Sequence, residues 1–171
     1  MSESELASVD SKKNIKKFLW INLLVLSFFI LDRIIKNIFL VQELNHHLDL
    51  IGLTLVKNQQ IIFGAVQPDW LFYVIIILIF AFLVYQLKQA YQQQQFWWLT
   101  AYTFVLLGGF SNIIDRVKYG FAVDYLQLNN FSFFNLADLM IWAGIIILVI
   151  KMFYRSKIKS IDNKNQYQKT K

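Results

Sequence analysis

Asp124 and Asp138 are the two acids in this sequence that lack an obvious local counter-charge. Asp124 lies in "YGFAVDYL", alternating with apolar residues on a short extended stretch, with no neighbouring cation in sequence. Asp138 lies in "FNLADLMIWAGIIILVI", a stretch apolar enough for lipid, with Asn135 one turn before it. A carboxyl partly buried and without a cation resists ionisation. Two such carboxyls facing one another would share a proton at neutral pH. One could then deprotonate a water while the other protonated or polarised a carbonyl, the division of labour of an aspartic peptidase. Spacing alone equally admits two unrelated acids, each hydrogen-bonded to backbone.

Other polar residues sit where polar groups are costly and need a partner or a purpose. Asp32 and Lys36 are spaced i, i+4 with the acid first, the favoured orientation of a helical ion pair, and read as structural. In "LLGGFSNIIDR", Gly108 and Gly109 would let another helix approach closely while Asn112, Asp115 and Arg116 are presented near the surface. Asp115 beside Arg116 reads as a charge-satisfied anchor that stays ionised. A serine-lysine peptidase would need Ser111 or Ser132 as nucleophile and Lys36 or Lys57 as base, and no serine and lysine are paired in a local motif. A transporter would need polar residues at several depths, yet "WLFYVIIILIFAFLVY" offers none. His46 and His47 lack carboxylate or cysteine partners at ligand spacing and read as structural or surface residues, so no metal is expected. The absence of cysteine removes disulfides and thiolate chemistry.

The elements that must position these residues are membrane helices. The 171-residue chain is 57% hydrophobic and 17% aromatic, too apolar for an ordinary soluble domain. Four segments approach the length of about 20 helical residues needed to cross a bilayer: 18–41, 70–87, 96–114 and 134–153. Lysines 12, 13, 16 and 17 precede the first, Lys88 lies between the second and third, and seven basic residues run from Lys151 to Lys171. By the positive-inside rule both termini are cytoplasmic, and loops 42–69 and 115–133 face outward. The net charge of +6 is thus a topology signal, and no nucleic-acid partner is expected. Trp97, Trp98 and Tyr154 fall at the inner interface and Trp70 at the outer one. The lysines and apolar run at the N-terminus also suit a signal peptide, but no A-x-A site follows and "DRIIKNIFLV" continues the helical pattern. Residues 1–11, "YQQQQ" and the tail from Ser156 are polar, expected to be mobile, and carry no recognisable chemistry.

In "HLDLIGLTLVKN", Leu48 and Leu50 alternate with polar neighbours, and the phase shifts at Ile51-Gly52 before Leu53 and Leu55 alternate again, predicting a half-buried strand with a bulge at Gly52. At about 1.5 Å per residue, Asp32 lies about 21 Å in from Phe18 and Asn112 about 24 Å in from Phe96, so both reach the outer third of their spans, level with Asp138. The expected fold is mainly α, with four transmembrane helices, a small extracytoplasmic β element and both termini cytoplasmic. Residues 18–154 form the membrane unit, between a cytoplasmic segment 1–17 and a basic cytoplasmic tail 155–171.

Taken in order, "DRIIK", "KNQQIIFG", "GGFSNIIDR" with "YGFAVDYL", and "FNLADLMI" resemble the motifs of the bacterial lipoprotein signal peptidases, signal peptidase II. The second resembles N-x-G-x-A-F-G, the third G-G-x-x-G-N-x-x-D-R followed by V-D-F, and the last F-N-x-A-D-S. The resemblance implies an aspartyl endopeptidase of the bacterial inner membrane, with its active site facing outward. It would cleave prolipoproteins before the diacylglyceryl-modified cysteine, without a cofactor, with membrane lipids around it, as a monomer. It puts the catalytic pair on Asp124 and Asp138. Asn58, Asn112, Arg116 and Asn135 match positions that support the pair or contact substrate, and Asp32 and Lys36 match a first-helix structural pair. Gln60, Ile62, Ser111 and Leu139 depart from the pattern, replacing glycine, alanine, glycine and serine, and the longer or β-branched side chains in the loop and beside Asp138 imply a differently shaped substrate groove. The alternative is a non-catalytic membrane homologue acting as a scaffold.

Overall fold

A computed structural model describes residues 3–42, 45–47, 51–59, 69–128 and 132–169. The chain runs α1 (Glu3–Gln42), β1 (Asn45–His47), β2 (Ile51–Asn58), α2 (Asp69–Gln92), α3 (Phe96–Tyr119), β3 (Ala122–Leu128), β4 (Ser132–Phe134) and α4 (Leu136–Lys169). Each helix contains a stretch long and apolar enough to cross a membrane: Phe18–Gln42, Tyr73–Gln92, Phe96–Tyr119 and Leu136–Lys157. The four expected spans are present, and their ends differ for physical reasons. α1 begins at Glu3 and α4 runs to Lys169, beyond the ends of the expected spans. Once a helix is nucleated each added residue costs little, so good helix formers such as Glu, Lys and Ala extend it past the apolar stretch. α4 starts at Leu136 rather than Phe134, because Ser132–Phe134 pairs with β3 instead. α3 ends at Gly120, whose φ of 81° is the left-handed conformation that glycine adopts without penalty, and the Gly120 N–H donates to the Arg116 carbonyl at 3.0 Å.

α3 is the central helix. It packs against α1, α2 and α4, and 39% of its span is buried, against 11% for α1 and α2 and 17% for α4. The outer helices keep large apolar side chains such as Leu23, Ile77 and Ile146 exposed, the surface a lipid solvent calls for. Close approach of α3 and α4 depends on their glycines. A Cβ on Gly108 would lie 2.5 Å from the Ala137 carbonyl oxygen, and one on Gly144 would lie 2.7 Å from that of Ala101. Gly109 meets the Phe80 ring of α2 instead. Gly108→Ala is therefore expected to lower stability by about 1–3 kcal/mol, the usual cost of overpacking, seen as a lower unfolding temperature in detergent. Parental stability would show that the α3–α4 contact yields easily.

Above the bundle lies a four-stranded antiparallel sheet of order β1-β2-β3-β4. The predicted strand is present as β2, but its irregularity falls later than expected. Leu53 opposes Leu126 and Val56 opposes Asp124, so Thr54 and Leu55 together face Tyr125 alone. Gly52 is in register opposite Gln127, and it is small because a Cβ there would come within 2.9 Å of Gln127 Oε1. Leu48, Leu50, Gln60 and Ile62 lie outside the described residues.

Candidate active site

β3 carries Asp124 into the junction between sheet and bundle. The strand is buried along most of its length, flanked by β2 and β4 and resting on α1 and α3, and Asp124 itself is only 2% exposed. Asn58 sits diagonally across on β2, two residues beyond Val56, where a cross-strand partner on the same face can reach. Its Nδ2 donates to Asp124 Oδ2 at 2.8 Å.

The start of α4 is built around Asn135 and Asp138. The Asn135 side-chain oxygen accepts from the Asp138 N–H at 2.9 Å, and Asp138 Oδ2 accepts in return from the Asn135 N–H at 3.1 Å. This is a capping box with aspartate in the third helical position. The same Asn135 reaches the strand, its Nδ2 donating to Asp124 Oδ1 at 2.7 Å. Asn112 of α3 donates to the remaining oxygen, Asp138 Oδ1, at 2.8 Å. All four carboxyl oxygens thus accept from an amide, and Asn135 bridges the two acids. Each oxygen retains a second lone pair for a water or a substrate. Burial pushes the Asp124 carboxyl up from its ordinary value, and the nearby Asp138 charge pushes the same way; the Asn58 and Asn135 hydrogen bonds and the Lys36 charge oppose them. The Arg116 guanidinium of α3 is half-buried and within electrostatic reach of Asp124, Asp138 and Asp115.

Beneath the pair lies a buried ion cluster. Lys36 Nζ contacts Asp32 Oδ2 at 3.1 Å, Asp115 Oδ2 at 2.7 Å and Asn112 Oδ1 at 2.8 Å, all four residues being buried. The expected Asp32–Lys36 pair is present. Asp115 is charge-satisfied as expected, but its ion-pair partners are Lys36 and Arg33 of α1 rather than its neighbour Arg116. Neighbours in a helix do not face each other, and Arg116 Nη1 donates instead to the Asn112 carbonyl at 3.4 Å. With two acids and two cations the cluster is neutral, which makes its burial tolerable.

Asp32, Lys36, Asn58, Asn112, Asp115, Arg116, Asp124, Asn135 and Asp138 therefore all gather at one junction. Reading the sequence missed the roles of Arg33 and of Tyr125, whose hydroxyl donates to Asp32 Oδ1 at 3.0 Å. The only signal for Tyr125 was a polar-tipped aromatic beside Asp124 on a buried strand. The serine-lysine alternative fares poorly. Ser111 Oγ lies 3.5 Å from Lys36 Nζ, but Ser111 is fully buried and donates to Asp32, while the Lys36 ammonium is engaged by two carboxylates. Lys57 and Ser132 pair with opposite ends of β3, Lys57 facing Val123 and Ser132 facing Leu128.

Residues 24–154 match the family model described as signal peptidase (SPase) II. The chain is 30% identical to the lipoprotein signal peptidase of Streptococcus pneumoniae, covering 80% of this chain and 94% of that one. It is also 30% identical to that of Alteromonas mediterranea, covering 86% of each. A solved bacterial membrane enzyme, determined by the in meso method at 2.3 Å resolution, superposes with a TM-score of 0.69 at 25% identity, over 85% of this chain and 92% of that one.

Proposed function

The chain belongs to the signal peptidase II family, and from that premise we propose that it removes lipoprotein signal peptides by aspartyl chemistry at Asp124 and Asp138. The observation that carries this reading is the bridging of buried Asp124 and half-buried Asp138 by Asn135, which holds both at one site. In the reaction, the ionised member of the pair takes a proton from water as the water oxygen attacks the scissile carbonyl carbon. The protonated member donates to the carbonyl oxygen. Collapse of the tetrahedral diol passes a proton to the leaving nitrogen, the C–N bond breaks, and the pair again holds one proton. Arg116 and Asn112 supply positive charge and a donor beside the site.

The substrate is a prolipoprotein whose cysteine bears a diacylglyceryl group, cut just before that cysteine. Its acyl chains stay in the bilayer against the exposed apolar faces of the helices, so that the scissile bond lies at the level of the sheet. Leu139, 45% exposed and next to Asp138, is suited to line that groove. The distribution of lysine and arginine supports cytoplasmic termini in the bacterial inner membrane, with the sheet and the two aspartates on the outer side.

The test pairs two precursors that differ only in the diacylglyceryl group, incubated with purified protein and read by mass spectrometry. Cleavage before the modified cysteine is expected, faster than on the unmodified precursor by about 100-fold or more, since remote binding energy drives the step. Equal rates on both would remove the lipid from recognition, and no cleavage of either would favour the scaffold reading.

A further inference from the structure

The first turn of a helix carries N–H groups with no partner inside the helix. In α4 the Asn135 cap satisfies only the one on Asp138. The Leu136 N–H donates to the Tyr125 hydroxyl oxygen at 3.0 Å, and the Ala137 N–H donates to Asp32 Oδ1 at 3.2 Å. Tyr125 donates its own proton to the same Asp32 oxygen. Its ring is buried and stacks on Phe39 of α1, with centroids 5.4 Å apart. Burial and the Asp32 carboxylate both push the phenol well above its usual range, so it stays protonated and remains a donor.

This cap is assembled from two other elements, β3 and α1, and it acts on the turn that carries Asp138. Tyr125 is also the residue next to Asp124. The hydroxyl therefore links the backbone on either side of the candidate pair. We propose that Tyr125 is a positioning residue for the peptidase reaction, its hydroxyl fixing the spacing of Asp124 and Asp138 by tying β3 to the first N–H of α4. Ser111, in place of a motif glycine, puts a second hydroxyl on the other Asp32 oxygen, at 2.6 Å. Among the described residues Ser111 bonds outside its own helix only to α1, through Asp32, Arg33 and Lys36, so it separates support of Asp32 from support of α4.

The inference rests on the aspartyl reading, and the test distinguishes the two. Tyr125→Phe deletes only the hydroxyl. Displacements of about an ångström at a reacting pair cost up to about 100-fold, and the looser tie is expected to lower kcat about tenfold with KM within about twofold. Rates are counted per folded molecule by size exclusion, so lost protein does not register as lost chemistry. Affinity for a statine-type peptide, whose hydroxyl mimics the tetrahedral diol, should weaken by the same factor as kcat. Ser111→Ala is expected to lower the unfolding temperature while costing less than about twofold in kcat. A parental kcat for Tyr125→Phe, or equal kcat losses in Tyr125→Phe and Ser111→Ala, overturns the positioning role. Cleavage by Asp124→Asn or Asp138→Asn overturns the aspartyl reading beneath it, whatever Tyr125 does.

Discussion

Asp124→Asn and Asp138→Asn are each expected to lower kcat by about a thousandfold or more, with the protein still folded and inserted. The amide keeps the shape of the carboxyl but neither accepts a proton from water nor returns one. The hydrogen-bond geometry tolerates the change at Asp124, because an Asn58 flip lets its oxygen face the new amide group. The parent's rate should be bell-shaped in pH. The acid limb is the second proton entering the pair, the basic limb is loss of the shared proton, and both belong to the pair rather than to either residue. Because burial raises the folded-state value of Asp124 above its unfolded value of about 3.9, the linkage to stability has a definite sign. The Asp124 contribution is fully present below the unfolded value and is lost as pH rises through the folded one. Asp124→Asn removes that dependence, so its unfolding temperature should vary less with pH and should equal or exceed the parent's at neutral pH. Strong cleavage by the purified, folded asparagine variants would end the aspartyl mechanism.

What was legible in the sequence was whatever depends on local spacing. Four apolar stretches gave four spans, because crossing a bilayer fixes both length and composition. Asp32 and Lys36 were legible as a pair because i, i+4 is a local relation. Counting along the helices put Asp32, Asn112 and Asp138 at one depth, and the contacts of Asn112 with Lys36 and Asp138 bear this out. Asp115 was legible as a charge-satisfied anchor but its partners were not, because adjacency in sequence is not contact in a helix. Its partners Arg33 and Lys36 come from another helix, and only the packing of α1 on α3 brings them near. The same limit applies at Phe134, whose strand pairing overrode an apolar pattern that looked helical. The double role of Asn135, cap to Asp138 and donor to Asp124, joins a local relation with a nonlocal one, and only the local half was within reach.

The buried cluster makes the largest stability prediction. Lys36→Met keeps the length and apolar stem of the side chain but takes away the cation between Asp32 and Asp115, both fully buried. Arg33 still pairs with Asp115, so the uncompensated charge falls on Asp32. Breaking a buried pair from one side costs about 3–5 kcal/mol, a large share of the about 5–15 kcal/mol that keeps an ordinary domain folded. The folded yield of Lys36→Met should drop sharply. The loss also reaches the site, since Lys36 holds the Asn112 oxygen whose amide partner nitrogen donates to Asp138. Adding Asp32→Asn restores the charge balance. An asparagine at that position can still accept the Ala137 N–H and the Tyr125 hydroxyl, and Ser111 can turn its hydroxyl to accept from the new amide. The double variant is therefore expected to recover about 1–3 kcal/mol of the loss, measured by thermal unfolding in detergent. If the two substitutions add instead, the Lys36 contribution is packing and hydrogen bonding rather than charge. A Lys36→Met protein as stable as the parent would show that the cluster admits water or a proton, and that Asp32 needs no cation.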